Sequence, residues 1–179
     1  LTYNGSLIGP AQHGNICPMT NNNSKHSVLV RDAGPGDIEF IVDSNCKLAE
    51  ETENKTLDRD VLTDGVRRGL DSPDLCRYFI AEVDGRRVGT TMLTYELTDW
   101  RDGVIWWLQS VYVLPDFRNL GVFRTVYHHI ERLARSSAEV RALRLYVRRD
   151  NRHALETYKA LGMSDAGYEV LEDDWSGGA

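Results

Sequence analysis

At 179 residues, with 41 % hydrophobic and 27 % charged residues, the chain has the length and composition of one globular domain with its own core, not of a disordered protein. A formal net charge of −6 argues against a general nucleic-acid binder, which needs a basic face. No apolar run approaches the ~20 residues that span a bilayer, and three cysteines (Cys17, Cys46, Cys76) without metal-like spacing or a signal-peptide pattern fit a reducing, cytoplasmic setting; no metal, membrane or nucleic-acid partner is expected.

Residues 1–26 carry Gly5, Gly9, Pro10, Gly14 and Pro18 and then the polar run Asn21 to Ser24, with no sustained periodicity, and read as an arm or linker. Met19 is taken as the natural start, with residues 1–18 as an extension. A single domain is expected over 27–175. It opens with a short strand at Val28, Leu29 and Val30. Asp37 then caps a helix whose apolar positions Ile38, Ile41, Val42 and Leu48 follow helical spacing. A second helix is predicted from Leu57 to Leu70, stopped by Asp71-Ser72-Pro73. Tyr78 to Val83 and Val88 to Leu97 read as a hairpin around Asp84-Gly85, a pair that tolerates the positive φ of a tight turn.

After a second turn at Asp99 to Gly103, the apolar and aromatic run Val104 to Leu114 reads as a strand buried on both faces. Gly121 opens a helix with Val122, Val126, Ile130 and Leu133 on one side. Leu143, Leu145 and Val147 make a strand, Asn151 starts a short helix that ends at Gly162, and Gly167 to Leu171 supplies a last strand. The order β-α-α-β-β-β-α-β-α-β predicts an α/β protein, a mixed sheet with helices on both sides.

The most informative stretch is Val111 to Arg124, where a buried strand ends at Pro115 and a turn with Gly121 leads straight into a helix. Unpaired N–H groups at a helix N-terminus point along the positive end of its dipole, so a diphosphate fits there, with Arg118 and Arg124 adding charge. Further on, Asn151 and Tyr158 lie two helical turns apart and share a face. Taken together, the two segments resemble the GCN5-related N-acetyltransferase (GNAT) family. The family's Arg/Gln-x-x-Gly-x-Gly/Ala motif falls on Arg118, Gly121 and Phe123, and its Asn…Ala…Tyr…Leu-Gly-Phe/Met pattern falls on Asn151, Ala154, Tyr158, Leu161, Gly162 and Met163. Phe123 departs from the pattern. A ring cannot approach a diphosphate as closely as a hydrogen, so it is expected to turn into the core or a partner subunit, which leaves room for a homodimer.

The resemblance implies a GNAT-like fold and transfer of an acetyl group from acetyl-CoA to a primary amine of a small molecule or peptide. It implies that main-chain groups of Val111, Tyr112 and Val113 hold the pantetheine arm and polarise the thioester. Asn119, Leu120, Gly121, Val122, Phe123 and Arg124, with Arg118, would hold the diphosphate, Asn151 the cofactor arm, and Tyr158 would protonate the leaving thiolate. The amine must also lose a proton, since an ammonium of pKa near ~10 has no lone pair. Some family members use a Glu five residues before the motif Asn, where this chain has Tyr146. Glu96, at the end of the strand beside the aromatic segment, is taken as the base, with Glu82, Asp99 or no dedicated base (for an amine arriving partly neutral) as alternatives, and Asp99 and Trp100 are taken as lining the acceptor entrance. Two other readings stay open: a regulatory protein of this fold that binds acyl-CoA without turnover, favoured by Phe123 and Tyr146, and a protein N-acetyltransferase.

Overall fold

A computed structural model describes residues 27–175; the N-terminal arm, Met19 and Cys17 lie outside them. The chain runs β1 (Val28–Asp32), α1 (Ile38–Glu53), α2 (Arg59–Leu70), β2 (Cys76–Val83), β3 (Arg86–Thr98), β4 (Gly103–Val113), α3 (Val122–Ser136), β5 (Val140–Leu145) and α4 (Arg152–Ala160). The strands form one sheet in sequence order, antiparallel through β4 and parallel between β4 and β5. This is the mixed α/β architecture expected from the sequence. No helix among the described residues is long and apolar enough to cross a membrane.

Local chemistry sets these elements. Asp84 and Gly85 hold φ of 50° and 75°, the two positive values that let a two-residue turn follow the twist of β2 and β3. Asp58 accepts from the amides of Asp60 and Val61 and starts α2. Alternation along β2 sends Phe79 and Ala81 to one face and Tyr78 and Ile80 to the other. Phe79 and Ala81 pack with Leu93, Leu108 and the α3 residues Val122, Val126 and Ile130. Tyr78 and Ile80 pack with Ile41 and Val42 of α1 and Val66 of α2. Helices therefore cover both faces, α1 and α2 on one and α3 on the other.

Two expectations are corrected. Gly167 to Leu171 forms no strand, and Val140–Leu145 is the edge of the sheet among the described residues. Tyr168, Val170 and Leu171 are largely exposed, so the alternating pattern that suggested a strand has no face to bury. Asp37 does precede α1, but its side chain caps nothing there. Its carboxylate instead takes Arg31 at 2.7 and 2.9 Å, Arg87 at 3.2 Å and the Gly34 amide at 2.9 Å, which ties β1 and β3 to the start of α1.

Asp37 is only 5 % exposed, and the hydrogen bonds from Arg31 lead in lowering its pKa from 3.8 to about 2. A lowered folded value means that its contribution is present above pH 3.8 and is lost as the pH falls through about 2. Asp37→Asn should cost roughly 1–3 kcal/mol of unfolding free energy at neutral pH. Urea melts across the acid range should show a shallower loss of stability in the variant.

Candidate functional site

The site is built where β4 stops being an ordinary strand. Met92 pairs with Gln109 and Thr90 with Tyr112, so Ser110 and Val111 together face Thr91, a one-residue bulge. Ser110 takes a left-handed φ of 49°. The insertion reverses the alternation beyond it. Tyr112 turns to the α1 face, and Val111 and Val113 pack on the α3 side. On the other edge, β5 pairs with β4 only as far as Leu108 and Leu145. Beyond them the two strands no longer pair, so along Val111 to Val113 β4 has no strand partner on the β5 side, the gap between the two strands.

β4 leads into the turn of residues 114–121. Asn119 and Gly121 both have positive φ, 62° and 79°, and Gly121 sits at the N-cap of α3 with no side chain to satisfy the helix's first N–H groups. The backbone here has the open helix start on which the sequence-based expectation of an anion seat rests, but its charges are arranged differently. Arg118 is not aimed outward. Its Nε donates to the Val113 carbonyl at 2.9 Å, its Nη2 to Glu51 of α1 at 2.6 Å, and its guanidinium lies 5.3 Å from the Tyr112 ring centre. Tyr112 also donates to Glu51, at 2.8 Å, and burial together with that carboxylate pushes the phenol up to about 12. Arg124, exposed on the first turn of α3, has no ion pair among the described residues.

Tyr158 of α4 lies beside this turn through Phe123: the two rings meet edge to face at 5.5 Å, and Phe123 also leans on Tyr127. The Phe123 ring thus turns inward against the core and α4, as expected. Burial raises the Tyr158 pKa, which keeps the phenol protonated at neutral pH, and its hydroxyl has no hydrogen-bond partner among the described residues. Asn151 is committed differently from its sequence reading. Its side-chain oxygen accepts from the Ala154 amide at 3.1 Å and caps α4, leaving only the amide N–H groups for a ligand.

Glu96 does not join this group. It pairs with Ile105, five positions before Ser110, or ~17 Å away at ~3.3 Å per residue. β3 and β4 are neighbours, but they run antiparallel, so the turn that joins them lies at the end of β4 opposite the gap. The Glu96 carboxylate accepts from Trp107 Nε1 and lies 3.3 Å from Arg144 of β5. Asp99 and Trp100 stand with it, not with Tyr158, around a hollow of about 280 Å³ also lined by Ile105, Arg144 and Tyr168. Glu51, Ser110 and Arg144 had no distinguishing signal in the sequence: one acid in a helical acidic run, one serine in a strand, one arginine in an alternating segment.

The family profile described as "Acetyltransferase (GNAT) family" matches residues 40–163. Among solved structures, "a possible acetyltransferase" from Clostridium difficile 630 is 36 % identical, with a TM-score of 0.77 over 82 % of this chain and 97 % of that one. A predicted acetyltransferase from Clostridium acetobutylicum, solved with acetyl-CoA, shares the fold at 19 % identity and a TM-score of 0.67, covering 82 % of this chain and 96 % of that one. The aminoglycoside N-acetyltransferase AAC(6')-Iy, solved with CoA, does so at 17 % identity and 0.67, covering 84 % and 96 %. No curated protein matches the chain.

A Cβ at Gly121 would meet nothing within 4 Å, so only its φ of 79° resists substitution. Gly121→Ala should therefore cost about 1–2 kcal/mol through left-handed strain alone. Gly121→Asn, whose side chain tolerates that region, should cost less in the same thermal melts.

Proposed function

Because the chain belongs to the acetyltransferase (GNAT) family, we propose that it transfers the acetyl group of acetyl-CoA to a primary amine, with the thioester lying in the gap between β4 and β5. The observation that carries this reading is the bulge at Ser110 beside the parting of the two strands, directly before the uncapped start of α3. Main-chain groups of Val111 to Val113 face the gap and suit the pantetheine arm and the thioester carbonyl, where an oriented donor is worth most in the transition state. The turn of Asn119 to Arg124 suits the diphosphate, with Arg124 supplying the charge that Arg118 gives instead to Glu51. The amide N–H groups of Asn151 remain for the cofactor arm.

In the transfer, the amine lone pair attacks the thioester carbon, the C–S bond breaks, and the thiolate takes a proton. Tyr158 is protonated, half-buried and without a hydrogen-bond partner among the described residues, and it supplies that proton before recovering one from solvent. The amine's own proton has no evident carboxylate to go to. Glu51, the α1 acid that meets β4 just past the bulge, is held by Tyr112 and Arg118. The amine therefore reacts from its neutral fraction with water as the proton acceptor. A second reading, acyl-CoA binding without turnover, is favoured by the Phe123–Tyr158 contact, since a tyrosine packed on a ring serves equally as core. Release of free thiol with any amine decides between the two.

Acetyl-CoA at a hundredfold excess over Kd should stabilise the protein by about 2.7 kcal/mol, seen as a rise in Tm; an unmoved Tm refutes the cofactor site. Tyr158→Phe should lower kcat by roughly 10²–10⁴ while keeping that rise. Full turnover by the variant returns Tyr158 to the core.

A further inference from the structure

The hollow at the far end of β4 has the chemistry of a cation site, although it is far from the gap. Its walls are exposed aromatic and aliphatic groups: Trp100 is 90 % exposed, Tyr168 73 % and Leu97 80 %. Two carboxylates, Glu96 and Asp99, face one guanidinium, Arg144, so the hollow carries a net negative charge. Arg144 displays the binding mode from within the chain, with its guanidinium 5.5 Å from the Trp107 ring centre and 5.7 Å from that of Tyr168, touching Glu96 at 3.3 Å. Asp99 and Trp100 offer the same pairing, a carboxylate beside an aromatic face. The Asp99 carboxylate accepts only the Trp100 amide and makes no ion pair among the described residues.

The ground between hollow and bulge defines what joins the two. Along the α1 face it is floored by Trp107 and Gln109 of β4, Thr94 of β3 and Tyr146. Trp107 and Tyr146 stack at 4.5 Å, Gln109 donates to Thr94 at 2.6 Å, and Trp107 donates to Glu96. The Trp107 indole and the Gln109 amide nitrogen thus spend their donors within the strip. An extended peptide laid there would find few partners for its amides, whereas a methylene chain needs none.

We propose that this hollow is a distal subsite for the acceptor, which is a long aliphatic amine carrying a second cationic group ~17 Å from the reacting nitrogen, five residues of β4 away. The far ammonium rests on Trp100 and Tyr168 against Asp99 and Glu96, the chain lies over Trp107 and Tyr146, and the near amine reaches the gap at Ser110. The proposal rests on the acetyl-transfer reading for the near end only, because the subsite itself is a binding claim.

Calorimetry on the whole protein tests it with diaminododecane, whose nitrogens span about this distance, against aminododecanol, in which a hydroxyl replaces the second ammonium, and diaminobutane, which is too short. Diaminododecane should bind about tenfold or more tightly than either, and less tightly as salt rises. Asp99→Asn and Trp100→Ala should each remove most of that preference, with the melting temperature reporting that the variants are folded. Equal binding of the three amines, or a preference that survives both substitutions, overturns the subsite. In parallel thiol-release assays, diamine-selective binding without thiol release overturns acetyl transfer and leaves the subsite standing. Thiol release without diamine selectivity does the reverse.

Discussion

Ser110 holds a non-glycine residue in the left-handed region, a conformation that costs of order 1–3 kcal/mol and persists only where its surroundings insist on it. Here the neighbours do insist. Thr91 hydroxyl donates to the Gln109 carbonyl on one side of the bulge, and Tyr112 is anchored to Glu51 on the other. The residue count between those anchors is one too many for a flat ladder, so the extra residue is pushed out of register. Everything downstream inherits the change of parity. Tyr112 reaches α1, Val111 and Val113 join the α3 core, and the main chain between them is presented to the gap beside β5. A strand without the insertion would bury Tyr112 against α3 and leave Glu51 without its phenol.

Arg118 extends the same logic into the turn. Its contacts with the Val113 carbonyl and Glu51 tie the loop that precedes α3 back to the strand and to the opposite layer. Both members of the Arg118–Glu51 pair are about two-fifths exposed, so in water the pair adds little to stability. Its effect is one of position: the loop can hold its two left-handed residues in place while its N–H groups stay unoccupied. A charge that the sequence suggested for a ligand serves instead to shape the turn.

Much of this architecture was legible because it rests on local chemistry. Asp84-Gly85 announces its hairpin, and Gly121 and Asn151 mark the starts of α3 and α4. What escaped was set by tertiary context. A bulge at Ser110 has no local signature, since serine neither favours nor forbids it. Gly167 to Leu171 alternates as a strand does, but alternation forms a strand only where a sheet edge and a face to bury are both available. The Glu96 error was one of direction: adjacency of β3 and β4 was read correctly, but which end of β4 carries the gap depends on where the parallel neighbour diverges.

The parting of β4 and β5 also divides the molecule mechanically. β5 and α4 contain no fully buried residue, whereas β2, β3, β4 and α3 supply most of one core cluster. Strands β2 to β4 form a meander, with β1 laid beside β2 after the α1–α2 connection, while β5 is joined to it by a parallel crossover through α3. The firm side of the seam therefore holds the bulge and the turn, and the soft side holds Asn151 and Tyr158. Local opening in a protein follows such differences in buried contact. With fewer buried contacts, the amides of β5 and α4 should exchange with solvent before those of β2 and β3.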